Sequence, residues 1–219
     1  MNIKHKRKAC LWGLAFAALT FGSALTARAD IVVVSGVNNQ GTDNVLLNPA
    51  TNVTTVTGTV GPDNLLVNFT STSGSGLLSA NPSGQATVSG GTGNDPFSQL
   101  SFELASSDLF TRAVFNINAG TDGSVVIHVE GLNITGGSFE DDFTVDANGE
   151  NFFTVTSING QLIDSISLTA TGGATFTDVR QVRLGGITAA VPEPETYALL
   201  MAGLGAIGFV ARRRKQKSR

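Results

Sequence analysis

The chain has 219 residues and a formal net charge of −3, but its charges are sorted along the sequence. All 17 Asp and Glu lie between Asp30 and Glu195, against only Arg112, Arg180 and Arg183, so this stretch carries −14 and repels nucleic acid and anionic lipid. The one cysteine, Cys10, sits near the start, so the chain beyond it has no disulfide, no thiolate nucleophile and no Cys-ligated zinc.

Residues 1–8 are basic, Ala9 to Leu25 is apolar, and Ala27-Arg28-Ala29 supplies small residues at alternate positions before Asp30. These three parts predict a secretory signal peptide over 1–29, helical in its apolar stretch and cut after Ala29 by signal peptidase. An uncleaved anchor is the competing reading.

From Asp30 to 188 the sequence predicts one exported body. Short β-branched and aromatic runs are separated by Gly, Asn, Asp and Pro: Ile31–Val34, Val53–Val60, Leu65–Thr70, Leu100–Leu104, Ala113–Ile117, Val125–Val129, Phe143–Val145, Phe152–Thr156, Ile163–Ala170 and Ala174–Leu184. Phe115 and Ile117 alternate with Asn116 and Asn118, and Ile166, Leu168 and Ala170 with Ser165, Ser167 and Thr169. A period of two predicts strands with one face buried and one wet. Asp122-Gly123, Asn148-Gly149 and Asn159-Gly160 tolerate positive φ and predict tight hairpins, hence an antiparallel meander across the second half. Ser71–Gly76 and Ser89–Gly93 read as loops. The expectation is an all-β, antiparallel two-layer sandwich of about ten to twelve strands, jelly-roll-like before immunoglobulin-like.

Catalytic chemistry finds little to work with. His128 is the one imidazole after the signal, and strand periodicity puts it with Val126 and Glu130, opposite Val125, Ile127 and Val129. No Gly-x-Ser-x-Gly elbow is present to serve it. Glu140, Asp142 and Asp146 would point one way at roughly 7 Å per two-residue step, a solvated stripe more than the focused pair of a glycosidase. The body has neither Trp nor Tyr, which weakens a sugar-stacking platform as well, and its ten Phe read as core. Arg180 and Arg183 read as partners of acidic neighbours pinning the last strand; the sharper reading is a clamp for an anion or a sugar carboxylate. Asp146, Asn148 and Glu150 have the oxygen-ligand spacing of a calcium loop without the rest of an EF-hand, so calcium is the one cofactor considered, against a plain Asn-Gly turn. No enzymatic activity is expected.

The tail, 189–219, opens on Pro192-Glu193-Pro194, continues through an apolar stretch within 196–211, and ends in Arg212, Arg213, Arg214 and further basic residues to Arg219. Fifteen apolar residues, Tyr197 to Ala211, span about 22 Å as a helix, short of a hydrocarbon core of about 30 Å. Such a short transmembrane helix is a poor permanent tether and a good transient stop, with the basic cluster inside and the body outside. Gly203 to Gly208 matches a dinucleotide-binding glycine pattern, but it follows no strand and lacks that fold's context.

The Pro-Glu-Pro turn, short Gly/Ala-rich helix and Arg-rich end resemble the PEP-CTERM sorting signal of diderm bacteria. That resemblance implies recognition and processing by exosortase, transient contact with the inner membrane, and delivery to the cell surface, typically in species that make exopolysaccharide and biofilm. More weakly, Asn151–Thr154 and Phe176–Gly186 resemble a recurrent ectodomain found on such tails, implying a β-sandwich without an assigned activity. Together these readings predict a structural or adhesive component of the exopolysaccharide or biofilm matrix, partnered by polysaccharide or other surface proteins. The alternative is a non-catalytic carbohydrate-binding module, assisted by calcium.

Overall fold

The computed structural model describes residues 31–83, 86–92, 95–134, 136–147, 149–188 and 201–204. Among these residues fifteen strands form two antiparallel sheets. Sheet A has the order β1 (Ile31–Ser35), β13 (Asn151–Ser157), β10 (Arg112–Thr121), β15 (Thr175–Gly185), β8 (Thr87–Gly90), β7 (Leu78–Asn81) and β4 (Ala50–Val53), with β2 (Thr42–Asn44) also paired to β15. Sheet B has the order β12 (Ser138–Val145), β11 (Gly123–Leu132), β14 (Leu162–Thr171), β9 (Gln99–Leu104), β6 (Leu65–Thr70), β5 (Thr55–Val60) and β3 (Leu46–Leu47). From β8 onward each strand crosses to the other sheet, except within the β11–β12 hairpin. This sets β8-β15-β10-β13 against β9-β14-β11-β12, the strand order of a double Greek key.

That connectivity corrects the expected meander. Asp122-Gly123 joins β10 in sheet A to β11 in sheet B, and Asn159-Gly160 joins β13 in sheet A to β14 in sheet B. Asn159 and Gly160 do adopt positive φ, 58° and 81°, so the reversal is sharp, but it runs across the core. Alternation reports only that one face of a strand is buried, and both sheets bury one face, so it cannot tell a paired neighbour from an opposing strand. Ser89–Gly93 is corrected too: Ser89 and Gly90 are buried in β8, where a Cβ on Gly90 would strike the Asp95 carbonyl. The strands missing from the sequence reading (β2, β3, β4, β7 and β8) are two to four residues long, too short to show a period.

Phenylalanine spans the space between the sheets. Phe69 and Phe102 of sheet B, Phe115 and Phe153 of sheet A, and Phe143 of sheet B form a continuous chain of ring contacts with centroids 5.4–5.9 Å apart. Phe97 meets Phe176 edge-on at 5.6 Å. Offset and edge contacts of this kind add about 0.5–1.5 kcal/mol each beyond the area they bury. The hydrophobic core, with the residues packed against it, runs from Ile31 to Ile187.

Residues 201–204 are helical and exposed. Among the described residues no helix is long and apolar enough to cross a membrane. The expected cleavage residues Ala27 and Ala29, the sorting residues Pro192, Glu193 and Pro194, the basic stop Arg212, Arg213 and Arg214, and most of the expected 196–211 span lie outside the described residues.

Candidate ligand groove

The outward faces of the two sheets differ in charge. Register places Arg112, Val114 and Asn116 of β10 beside Gly185, Arg183 and Arg180 of β15, and these alternate with core residues, so all three arginines of the body stand on the outer face of sheet A. On the outer face of sheet B, Glu103 and Glu130 flank Ser165, Glu140 pairs with His128, and Asp142 with Val126. The three arginines of a body otherwise rich in carboxylates thus share one face.

A surface segment covers part of sheet A. After β1 the chain turns over the sheet: Gly36 N–H donates to Phe152 O at 2.7 Å, Asn38 N–H donates to Thr154 Oγ1 at 3.1 Å, and Arg112 Nη1 donates to Gln40 O at 2.6 Å. Val114, Asn116 and Thr154, which alternation places outward, are therefore buried. Asn116 is thus not a wet-face residue, as its alternation with Phe115 and Ile117 predicts. Its Oδ1 is buried without a hydrogen-bond partner among the described residues.

Where that segment joins sheet A, β15 carries a bulge. Arg180 faces Asn116 and Arg183 faces Val114, so Gln181 and Val182 together oppose the single Phe115, one extra residue on the β15 side. Gln181 takes φ 54°, the one positive-φ residue among the described residues that is neither Gly nor Asn. An L-residue in that region costs about 1–2 kcal/mol. The bulge lets one edge of β15 serve two partners: residues 178–180 pair with β8 and 183–185 with β2. Gln181 N–H donates to Ala86 O at 3.2 Å, and Val182 O accepts from Val45 N–H at 2.9 Å.

The seam opens into a groove of about 500 Å³, with Val114, Phe152, Gln181 and Arg183 among its lining and Asn39 and Asn44 on its walls. That volume falls within the range of about 300–1,000 Å³ typical of small-molecule sites. A shallower depression of about 610 Å³ lies at the edge of the other face, lined in part by Glu103, Glu130 and Asp164. The groove on sheet A combines a cation, carboxamides and an aromatic ring. Bulges often re-aim side chains next to binding sites.

The arginines divide. Arg180 pairs with Asp178, Nε to Oδ1 at 2.7 Å and Nη2 to Oδ2 at 2.9 Å, while Asn118 Nδ2 donates to the same Oδ2 at 2.9 Å. Arg183 differs: Nε donates to Thr42 Oγ1 at 3.2 Å, Nη1 to Asn44 Oδ1 at 2.7 Å and Nη2 to Thr42 O at 3.0 Å. It pins β2 to β15 through neutral acceptors, and no carboxylate among the described residues forms an ion pair with it. The expected acidic partner thus exists for Arg180 and not for Arg183.

Other expected residues are dispersed. His128 stands on the outer face of sheet B as its period predicts, with Nδ1 3.2 Å from Glu140 Oε2 and Nε2 3.3 Å from Glu130 Oε1. Glu140 and Asp142 are exposed beside it on β12. Asp146 and Glu150 are exposed in the β12–β13 connection, and Asn148 between them lies outside the described residues. There Asn151 Oδ1 accepts from Asp146 N–H at 2.9 Å while its Nδ2 donates to Asp146 O at 3.0 Å. No group of three His, Cys, Asp or Glu suited to a metal ion forms among the described residues. Phe152, expected in the core, is half-buried at the groove, because the bulky pair Phe152-Phe153 must point to opposite faces and only Phe153 faces inward. The two segments that carry the ectodomain resemblance, Asn151–Thr154 and Phe176–Gly186, supply Phe152, Gln181 and Arg183 to the groove.

Residues 190–215 match the PEP-CTERM protein-sorting motif. The chain thus carries a PEP-CTERM sorting motif, which marks it for export and for sorting to the cell surface and implies processing by exosortase. No curated protein matches the chain significantly. Among solved structures, it is similar to a carbohydrate-binding module of family 29, with 13% identity over 72% of this chain and 86% of that one and a TM-score of 0.30. A family 29 module from Piromyces equi is similar at 12% identity, 72% and 91% coverage and a TM-score of 0.29. Likeness at this level assigns the chain neither a ligand nor a site.

Proposed function

We propose that this is a non-catalytic matrix protein: a signal peptide over 1–29, a sandwich over 30–188 that works outside the cell, and a tail over 189–219 that anchors it transiently in the inner membrane until exosortase removes it. The sandwich serves a structural or adhesive role within exopolysaccharide or biofilm. The sorting motif at 190–215 carries this reading, since it directs the body to the surface. Support comes from His128, both of whose ring nitrogens lie against exposed glutamates, while its cross-strand neighbour Ser167 is hydrogen-bonded to Ser101 at 2.9 Å. Deleting the gene should reduce floc or biofilm mass, with restoration by the intact chain and not by one lacking residues 189–219; unchanged biofilm in the deletion strain would refute the role.

The groove on sheet A favours a second reading, a glycan-binding module, because it joins hydrogen-bonding side chains to an aromatic face in one concavity. Polysaccharide pull-down with saturable binding separates this from a purely structural role. Under the same reading, calcium would be held by Asp146, Asn148 and Glu150. A calcium-dependent gain in polysaccharide binding that Asp146→Asn abolishes is its test.

A further inference from the structure

We propose that the groove over the β15 bulge binds a uronate unit of an acidic polysaccharide, with the sugar carboxylate on Arg183. The inference rests on the glycan-binding reading and names its site and ligand class. A guanidinium has five N–H donors in a planar fork, and Arg183 spends three on Thr42 and Asn44. Two therefore remain on a cation that no carboxylate neutralises among the described residues. Its neighbours Thr42 and Asn44 also hold it in place, so little side-chain entropy is lost when a carboxylate docks.

The rest of the lining suits a sugar more than a bare anion. Gln181, Asn39 and Asn44 present carboxamides, which both donate to and accept from hydroxyl groups. Phe152 offers an apolar face for a sugar ring. Charge selects the ring's substituent: the three arginines of the body share this face while the exposed carboxylates of β11 and β12 lie on the other sheet, so an acidic chain repelled by the molecule as a whole is accepted here. The left-handed Gln181 fits as well, because strain held at a bulge in a groove is characteristic of a binding position.

The purified full chain in mild detergent is titrated with a galacturonate trisaccharide, its methyl ester and the neutral galactose trisaccharide, followed by calorimetry and amide chemical shifts. The acid form should bind at least tenfold tighter than either neutral form, with shifts at Phe152 and Gln181. Arg183→Gln should weaken it at least tenfold. Gln181→Asn, which tolerates the same backbone conformation, should weaken it severalfold without lowering the melting temperature, and it keeps the test decisive if Arg183→Gln loosens β2. Equal binding of acid and ester, or acid binding that neither substitution alters, overturns the groove while leaving glycan binding in place. No binding of any of the three probes, with no polysaccharide retained in pull-down, overturns both.

Discussion

Gln181 shows how a single residue can be set against its own backbone preference. Glycine would relieve a left-handed strain of about 1–2 kcal/mol and add an entropic cost of about 0.5–1 kcal/mol. Gln181→Gly should thus leave unfolding free energy within about 1 kcal/mol of the parent, whereas β-branched Gln181→Val should destabilise by more than about 1 kcal/mol in urea titrations. Gly131 is constrained by space: it sits opposite a bulge in β14, where a Cβ would run into the Leu162 carbonyl. Gly131→Ala should cost about 1–3 kcal/mol by the same measurement, as other overpacked sites do. At this scale the ten Phe were largely legible as core, since large apolar side chains with no polar tip have nowhere better to go. Phe152 was not, because two adjacent residues on one strand cannot share a face.

At the level of elements, the two outer strands on one side of the sandwich, β1 and β12, handle their open edges differently. β12 exposes Glu140, Asp141 and Asp142, charges that discourage pairing with another chain. β1 exposes Val32 and Val34 at 43% and 47% and is five residues long, a short edge in place of a charged one. Replacing Glu140 and Asp142 together by Thr should leave the fold intact and raise aggregation measured by light scattering, with a delay-free rise at high concentration. The β11 and β14 strands were legible from alternation alone: Val125, Ile127, Val129, Ile166 and Leu168 are all fully buried. The β2–β15 pairing was not, since it joins Asn44 to Arg183, 139 residues further along the chain and next to the bulge.

For the whole molecule, a core reaching from Ile31 to Ile187 stabilises the sandwich with no cysteine after Cys10. Its melting temperature should not change when a thiol reductant is added, as followed by circular dichroism. Sorting makes the remaining prediction. In cells with a working exosortase, mass spectrometry of the surface form should find Asp30 at the N-terminus and no peptide containing Arg219. Substituting Pro192, Glu193 and Pro194 together by Ala should leave uncut protein in the inner membrane.

The export and sorting logic, the all-β class and the alternating strands were determined by the sequence itself, because each depends on a local pattern: an apolar run between charges, a Pro-Glu-Pro turn, a period of two. The groove was decided only by tertiary structure. It needs β2, β10, β13 and β15, drawn from opposite ends of the body, to meet at a bulge, and it needs Arg183 to find neutral partners where Arg180 found Asp178. Which strands become neighbours is settled by how both sheets bury their faces at once, and that is a property of the whole packed core, carried by no single stretch of chain.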